Sequence, residues 1–524
     1  MRYSPILKCR YSLSDPANLA VLASPHCLPS PDGHYIATVS VSSISIRDVA
    51  TLEIVRAIRL PAEMAGGVTT FAWSSSSKRL LLASADEIHV FDVAESSEYH
   101  ATIRNPAISG AKSVFVDFGQ NDNEVFVFSA LGIKLSIFPL SSSQVVEVHN
   151  PKFYTPSSVA HGFSFRSQSG HLALLTRTAG KDMISIHSPG NRAVARSWSP
   201  DVIDAQGLCW APDGRWLVVW ESAAHGIRML FYTADGNLYR DWTGPQPASP
   251  DSMEYGLHVG VKQLTFSHNG HHVAVADYER SLYILSTSNL MQCFELIHPL
   301  GSIELRDTLQ VWQETDATVS EFIKATQAVA PPGRASKTSQ DLRTGCDNMA
   351  FDCSSAAIAT ILADAPTTVW IWDVAALELR AVLIFHSNVS KVDWHPAQPE
   401  LLFVKCEGDR SSGLVFVWDP LSNGPRTVDF QSHFADGITN GRVSTFWVKS
   451  SSEVPTLLLT DSNACMLGSL ANEDQDVPWK EDPAEGPRDD ASDSATESDS
   501  QDSDMDPGDL DDTFHFKRGA GLGQ

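Results

Sequence analysis

Apolar and polar positions alternate in short runs along this 524-residue chain, and polar turns separate the runs. Tyr35-Ile36-Ala37-Thr38-Val39 and Ile44-Ser45-Ile46 carry the period of two that marks a half-buried strand. Trp216-Leu217-Val218-Val219-Trp220 and Leu80-Leu81-Leu82-Ala83 are unbroken apolar runs, as strands packed on both faces require. Small turns such as Ser30-Pro31-Asp32-Gly33 and Ala211-Pro212-Asp213-Gly214 precede strands of this kind. Other strands end in an aromatic–acid pair, as at Trp372-Asp373 and Trp418-Asp419. Among the longer stretches, only residues 317–328 (ATVSEFIKATQA) hold a helical period, which predicts one helix there.

The unit of turn, strand and aromatic-tipped strand repeats. Anchors just before each polar turn are Pro29, Trp73, Phe118, Phe165, Trp210, Phe266, Phe351, Trp394 and Trp447. Six of the eight gaps between them lie between 43 and 53 residues. That is near the roughly 40–45 residues of one propeller blade, a four-stranded sheet that buries its faces only against neighbouring sheets. The gap from Phe266 to Phe351 is nearly double, which places an insertion at residues 297–345. The prediction is an all-β fold, a β-propeller of about nine degenerate blades over residues 1–470. A seven-bladed ring with an appendage, or two incomplete rings, are the alternatives; the lack of a linker-like stretch before residue 297 favours one ring. The last unit, residues 443–470, shows three strand-like runs, so residues 6–11 are expected to supply its fourth strand and close the ring.

Composition adds an asymmetry. The net charge is −25, and residues 471–524 hold 17 Asp and Glu against 4 Lys and Arg, a net of −13 that leaves −12 for the body. This acidic, Ser-rich segment cannot bury enough apolar area to offset chain entropy and is expected to be a disordered tail. Within it Ser494, Thr496 and Ser503 each have an acid three residues later, at Glu497, Asp499 and Asp506, the pattern of an acidophilic kinase site. An acidic body with a more acidic tail disfavours nucleic acid as a general partner, because phosphate binding runs on cationic neutralisation. No run of about 18 apolar residues marks a membrane helix, and the N-terminus lacks a secretory apolar core. The eight cysteines are scattered without a CxxC pair, which points to a reducing compartment and separate buried thiols.

Catalytic constellations are not visible. There is no G-x-S-x-G, no P-loop and no H-E-x-x-H. His271 and His272 are adjacent strand residues that point to opposite faces, and His395 takes a turn slot held elsewhere by Ser or Ala. The expectation is a non-enzymatic chain without cofactor or metal. Trp73, Trp210, Trp394 and Trp447 recur at the unit period and read as packing between blades, as do Trp370, Trp372 and Trp418, with Asp373 and Asp419 bonding turn amides. Trp198 and Trp242 stand near unit ends beside loops and are candidate exposed partner contacts.

The runs at residues 30–48, 211–236, 261–285 and 367–383 resemble WD40 blades, although the Gly-His opening is mostly missing and few units end in Trp-Asp. The order of IRDVATLEIV (46–55), GLCWAPDGRWLVVWE (207–221), FYTADGNL (231–238), LHVGVKQLTFSHNGHHVAVADYERSLYIL (257–285) and VWIWDVAALELRAVLIFHSNVSKVDWHPAQPEL (369–401) resembles the WD-repeat-containing protein eight family, in its fungal branch, over residues 20–470. The resemblance implies a scaffold in the cytoplasm and cytoskeleton, at the spindle pole body or microtubule-organising centre. It implies a coiled-coil spindle-pole anchoring partner and a minus-end-directed kinesin-14, with microtubule minus ends held only through those partners and no membrane contact. The family's Trp-Asp in the fifth unit is Trp220-Glu221 here, which makes these two partner-related positions by the same resemblance. A different class, a translation-initiation factor, also contains nine-bladed propellers, and the acidic tail counts against it.

Overall fold

A computed structural model describes residues 2–8, 26–40, 42–61, 64, 67–94, 96–97, 99–106, 115–129, 132–142, 144–152, 162–245, 260–299, 301–315, 321–333, 345–433, 443–449, 454–461, 464–470 and 479. The chain divides into Met1–Lys480 and Glu481–Gln524, and the second unit, with Ser494, Thr496 and Ser503, lies outside the described residues. Within the first unit the strands form nine antiparallel-built sheets, eight of four strands and one of six. Each sheet is one blade, and its first strand meets the first strand of at least one neighbour. These inner strands are Cys27–Pro29, Thr70–Trp73, Phe115–Phe118, Phe163–Phe165, Ala205–Trp210, Val261–Phe266, Cys346–Phe351, Val389–Trp394 and Ser444–Val448. Eight of the nine sequence anchors are the last residue of an inner strand; Trp447 is one residue short of it.

Strand alternation explains why the sheets form a ring. In Trp216–Glu221, Trp216, Val218 and Trp220 enter the core shared with blade six, while Leu217 and Val219 enter the core shared with blade four. An unbroken apolar run is what a strand between two blades needs. Nine such clusters exist among the described residues, one for each pair of neighbouring blades. The last of them joins Val448, Leu458 and Leu467 of blade nine to Cys27 and Ile36 of blade one. The cycle of interfaces is therefore complete, and the nine blades make one ring.

The seam is closed by strand exchange between the termini. Arg2–Lys8 pairs antiparallel with Ala464–Ser469 as the outer strand of blade nine. The closing strand thus begins upstream of the expected residues 6–11, of which residues 9–11 lie outside the described set. Gly33, in the first predicted turn, has φ +79°, and a Cβ there would fall 1.6 Å from the Lys449 carbonyl oxygen of blade nine. Trp479 is buried in the seam cluster, so the compact unit runs past residue 470, where the apolar pattern thins.

Three of the four periodic tryptophans bind blade to blade by direction as well as area, while the Trp210 indole N–H is buried without a partner among the described residues. The indole N–H groups of Trp73, Trp394 and Trp447 donate to the carbonyls of Leu28, Ala350 and Asp393 at 3.1, 2.9 and 3.1 Å. Each acceptor lies on the inner strand of the preceding blade. Each of these part-buried bonds ties an indole to a backbone carbonyl of the neighbouring blade. Asp373 accepts from the amides of Ala375 and Ala376, and Asp419 from that of Leu421, as the turn chemistry predicts.

The insertion corrects one expectation. In place of a helix over residues 317–328, Phe322–Lys324 is a strand, and residues 316–320 lie outside the described set. It pairs antiparallel with Gln310–Glu314, which adds parallel to the outer strand Glu378–Ile384 and widens blade seven to six strands. A twelve-residue helix is marginal alone, whereas the open sheet edge offers a ready ladder. Phe322 also packs edge-on against Phe385 and Phe416, with centroids 5.4 and 5.6 Å away.

Candidate interaction site

Of the four tryptophan and glutamate positions singled out by sequence, Trp220, Glu221 and Trp242 belong to blade five and Trp198 ends the outer strand of blade four. Trp220 is 4% exposed, and its ring fills the space above Gly207, where a Cβ would fall 2.3 Å from Cζ2. Glu221 is buried, accepts the Ile203 amide at 2.8 Å and lies 3.6 Å from the Arg228 guanidinium. Trp242 is 3% exposed and meets Tyr283 of blade six edge-on at 5.8 Å between centroids. The reading of Trp242 as an exposed side chain is thereby corrected: its strand alternates it inward, into the core between blades five and six. Trp220 and Glu221 likewise present no face to solvent, because they hold the blade and the loop before it. Trp198 alone is partly exposed, packed on Tyr232 at 5.4 Å between centroids and covered by the turn at Gly236.

The exposed apolar surface of the region comes from other residues. Leu238 and Tyr239, on the outer strand Leu238–Trp242, and Met291, Phe294 and Ile297, at the outer strand Cys293–Ile297 of blade six, are all exposed. The register explains Tyr239. Tyr232 pairs with Leu238 and Phe231 with Arg240, so Tyr239 is the extra residue of a bulge, and bulges re-aim side chains. It lies over Trp216, with centroids 4.5 Å apart, and remains 53% exposed. The Arg240 guanidinium touches the sulfur of Met291, which is 66% exposed, and so bridges the two blades. Beneath them the Trp216 indole donates to the Thr287 carbonyl at 3.0 Å. Arg228 sits among Asp201, Asp241 and Glu221, and Asp241 first of these holds its pKa above the usual range. The rim of blades five and six thus carries exposed apolar side chains, an Arg240–Met291 contact between the blades, and Arg228 among three carboxylates.

Sequence reasoning missed this strip because Tyr239 and Ile297 fall in strands that read as ordinary alternation and Met291 in the turn before one. The available signal was the large apolar residue on the face opposite a buried neighbour, as in Ile297 beside Leu296.

Elsewhere the perturbed titrations follow burial. Burial pushes His298 and His395 down to about 4 and Lys405 down to about 8, and it raises Asp277. His298 Nε2 is 2.8 Å from the Thr360 hydroxyl and its Nδ1 2.7 Å from the Arg280 carbonyl, a link between blades six and seven. His395 Nδ1 accepts the amides of Ala397 and Gln398 in its turn. Among the described residues no group of three or more His, Cys, Asp and Glu is placed to hold a metal ion. No helix of the described residues is long and apolar enough to cross a membrane.

No family model matches the chain. It is 23% identical over 429 residues to an uncharacterized WD repeat-containing protein of Schizosaccharomyces pombe, covering 77% of this chain and 81% of that protein. It is 24% identical over 422 residues to the mouse WD repeat-containing protein WRAP73, covering 75% and 84%. Among solved structures it is similar to a eukaryotic initiation factor, with a TM-score of 0.49 and 11% identity over 78% of this chain and 88% of that one. The Dos1 propeller gives a TM-score of 0.46 and 10% identity over 79% and 94%. The chain is a nine-bladed β-propeller whose sequence relatives are WD repeat-containing proteins.

Proposed function

We propose that this protein is a non-enzymatic scaffold of the spindle pole body or microtubule-organising centre. It would hold a coiled-coil anchoring protein and, with it, a kinesin-14 at microtubule minus ends. The observation that carries the scaffold reading is the exposed apolar side chains of blades five and six, set on outer strands anchored by Trp242 and Leu296 in blade cores. A preordered surface loses little entropy on binding, and Tyr, Met and Arg are side chains typical of interface centres. An amphipathic helix laid along the strip would cover Tyr239, Met291 and Ile297 with its apolar face. The spindle-pole assignment rests on the order of the WD-like units in the sequence. Direct microtubule binding is disfavoured by charge, since both the lattice and this chain are acidic.

The test is microscopy of the tagged protein in dividing cells, paired with a Tyr239→Ser, Met291→Ser double variant. Paired polar foci that fade in the variant, with its thermal unfolding unchanged, are expected. Diffuse signal from the unaltered protein would refute the spindle-pole assignment and favour the initiation-factor reading. Intact foci in the variant would remove the strip as the docking surface.

A further inference from the structure

The ring closes where blade nine meets blade one, and each of these blades brings one thiol to the seam. Cys27 begins the inner strand of blade one, and Cys465 lies in Ala464–Ser469 of blade nine. Both are 3% exposed, in one cluster with Ile36, Leu458, Leu467 and Trp479. The Cys465 thiol is hydrogen-bonded to Cys27, and the Thr38 hydroxyl, 3.5 Å from the Cys27 sulfur, also bonds Cys465. Neither thiol is in a disulfide. Their positions are remote in sequence, and no spacing motif announces the pair.

We propose that Cys27 and Cys465 form a reversible disulfide that covalently locks the closure seam of the propeller. The oxidant is a small disulfide such as oxidised glutathione. One cysteine thiolate attacks a sulfur of that disulfide, its S–S bond breaks, and a glutathione thiolate leaves and takes up the proton. The second cysteine thiolate then attacks the mixed disulfide, the Cys27–Cys465 bond forms, and a second glutathione leaves. Two protein thiols are oxidised, and one glutathione disulfide is reduced to two thiols.

The surroundings decide when this happens. The hydrogen bond to Cys27, and then burial, raise the Cys465 pKa, and both thiols are shielded while the ring is closed. The backbone of Cys465 pairs with Leu7 of the closing strand, and Trp479 packs in the same cluster. Opening of the seam at these two elements exposes the pair, and reclosure with the oxidant consumed leaves the blades joined. The joined state ties the first blade to the last by a covalent bond.

The experiment uses the reduced full-length chain, incubated with oxidised glutathione at neutral pH. Remaining thiols are then alkylated, and the protein is digested without reductant for mass spectrometry. The expected result is a peptide pair linking Cys27 to Cys465 that dithiothreitol releases. The thermal unfolding midpoint of the oxidised protein should also rise by several degrees, with no such rise in Cys27→Ala or Cys465→Ala. Oxidised wild-type chain that carries only separate glutathione adducts would overturn the proposal, as would an equal rise in both variants. If a variant fails to fold, the linked peptide in the wild-type chain decides alone.

Discussion

Two tryptophans of one cluster test how the blades are joined. Trp394 and Trp418 both pack between blades seven and eight, 6% and 1% exposed. They differ in one respect. The Trp394 indole donates to the Ala350 carbonyl of the preceding blade at 2.9 Å, whereas the Trp418 indole N–H is buried with no hydrogen-bond partner among the described residues. Replacing either by Phe removes a similar piece of apolar ring, so the transfer and cavity losses are alike. Trp394→Phe additionally loses a hydrogen bond worth about 0.5–1.5 kcal/mol net. Trp418→Phe instead removes an unpaired buried donor, whose burial costs about 1–3 kcal/mol. The expected difference is about 2–4 kcal/mol, with Trp394→Phe the less stable, a large share of the about 5–15 kcal/mol that holds a typical fold. Urea unfolding followed by circular dichroism, with both variants in parallel, measures it. Equal losses would show that area alone joins these blades and that the periodic indole donors contribute nothing.

Removal of residues 1–12 strips the outer strand of blade nine, whose ladder bonds contribute about 0.5–1.5 kcal/mol net each; the melting temperature should fall sharply, and a truncated chain as stable as the whole would exclude closure by this strand. Arg192 of blade four and Glu124 of blade three form a buried ion pair, with Arg192 Nε 2.9 Å from Glu124 Oε2, so Arg192→Met should cost about 3–5 kcal/mol in denaturant unfolding by leaving Glu124 charged and buried. Stability should also fall on acidification. His298 and His395 have folded pKa values lowered from 6.5 to about 4, so the unfolded chain binds protons first, and their contribution is present above pH 6.5 and lost as the pH falls to about 4. At pH 5 the loss is about 2 kcal/mol for each, and His298→Gln should reduce the acid loss by about that amount in a pH series of unfolding measurements.

The sequence by itself determined the repeat, the blade number and the place of the insertion, because turns and period-two alternation are local. Pro29, Trp73, Phe118 and the other anchors end or nearly end inner strands for that reason. It also pointed to strand exchange between the termini, since blade nine was one strand short. It misjudged the described part of the predicted helix, where Phe322–Lys324 joined an open edge of blade seven instead. Only the tertiary structure decided which tryptophans face outward. Trp242 and Trp220 are inward because neighbouring blades set the two faces of each strand, and a bulge rather than a motif turned Tyr239 to solvent. The meeting of Cys27 with Cys465 likewise depends on ring closure, which brings the two ends of the chain together through contacts no local pattern encodes.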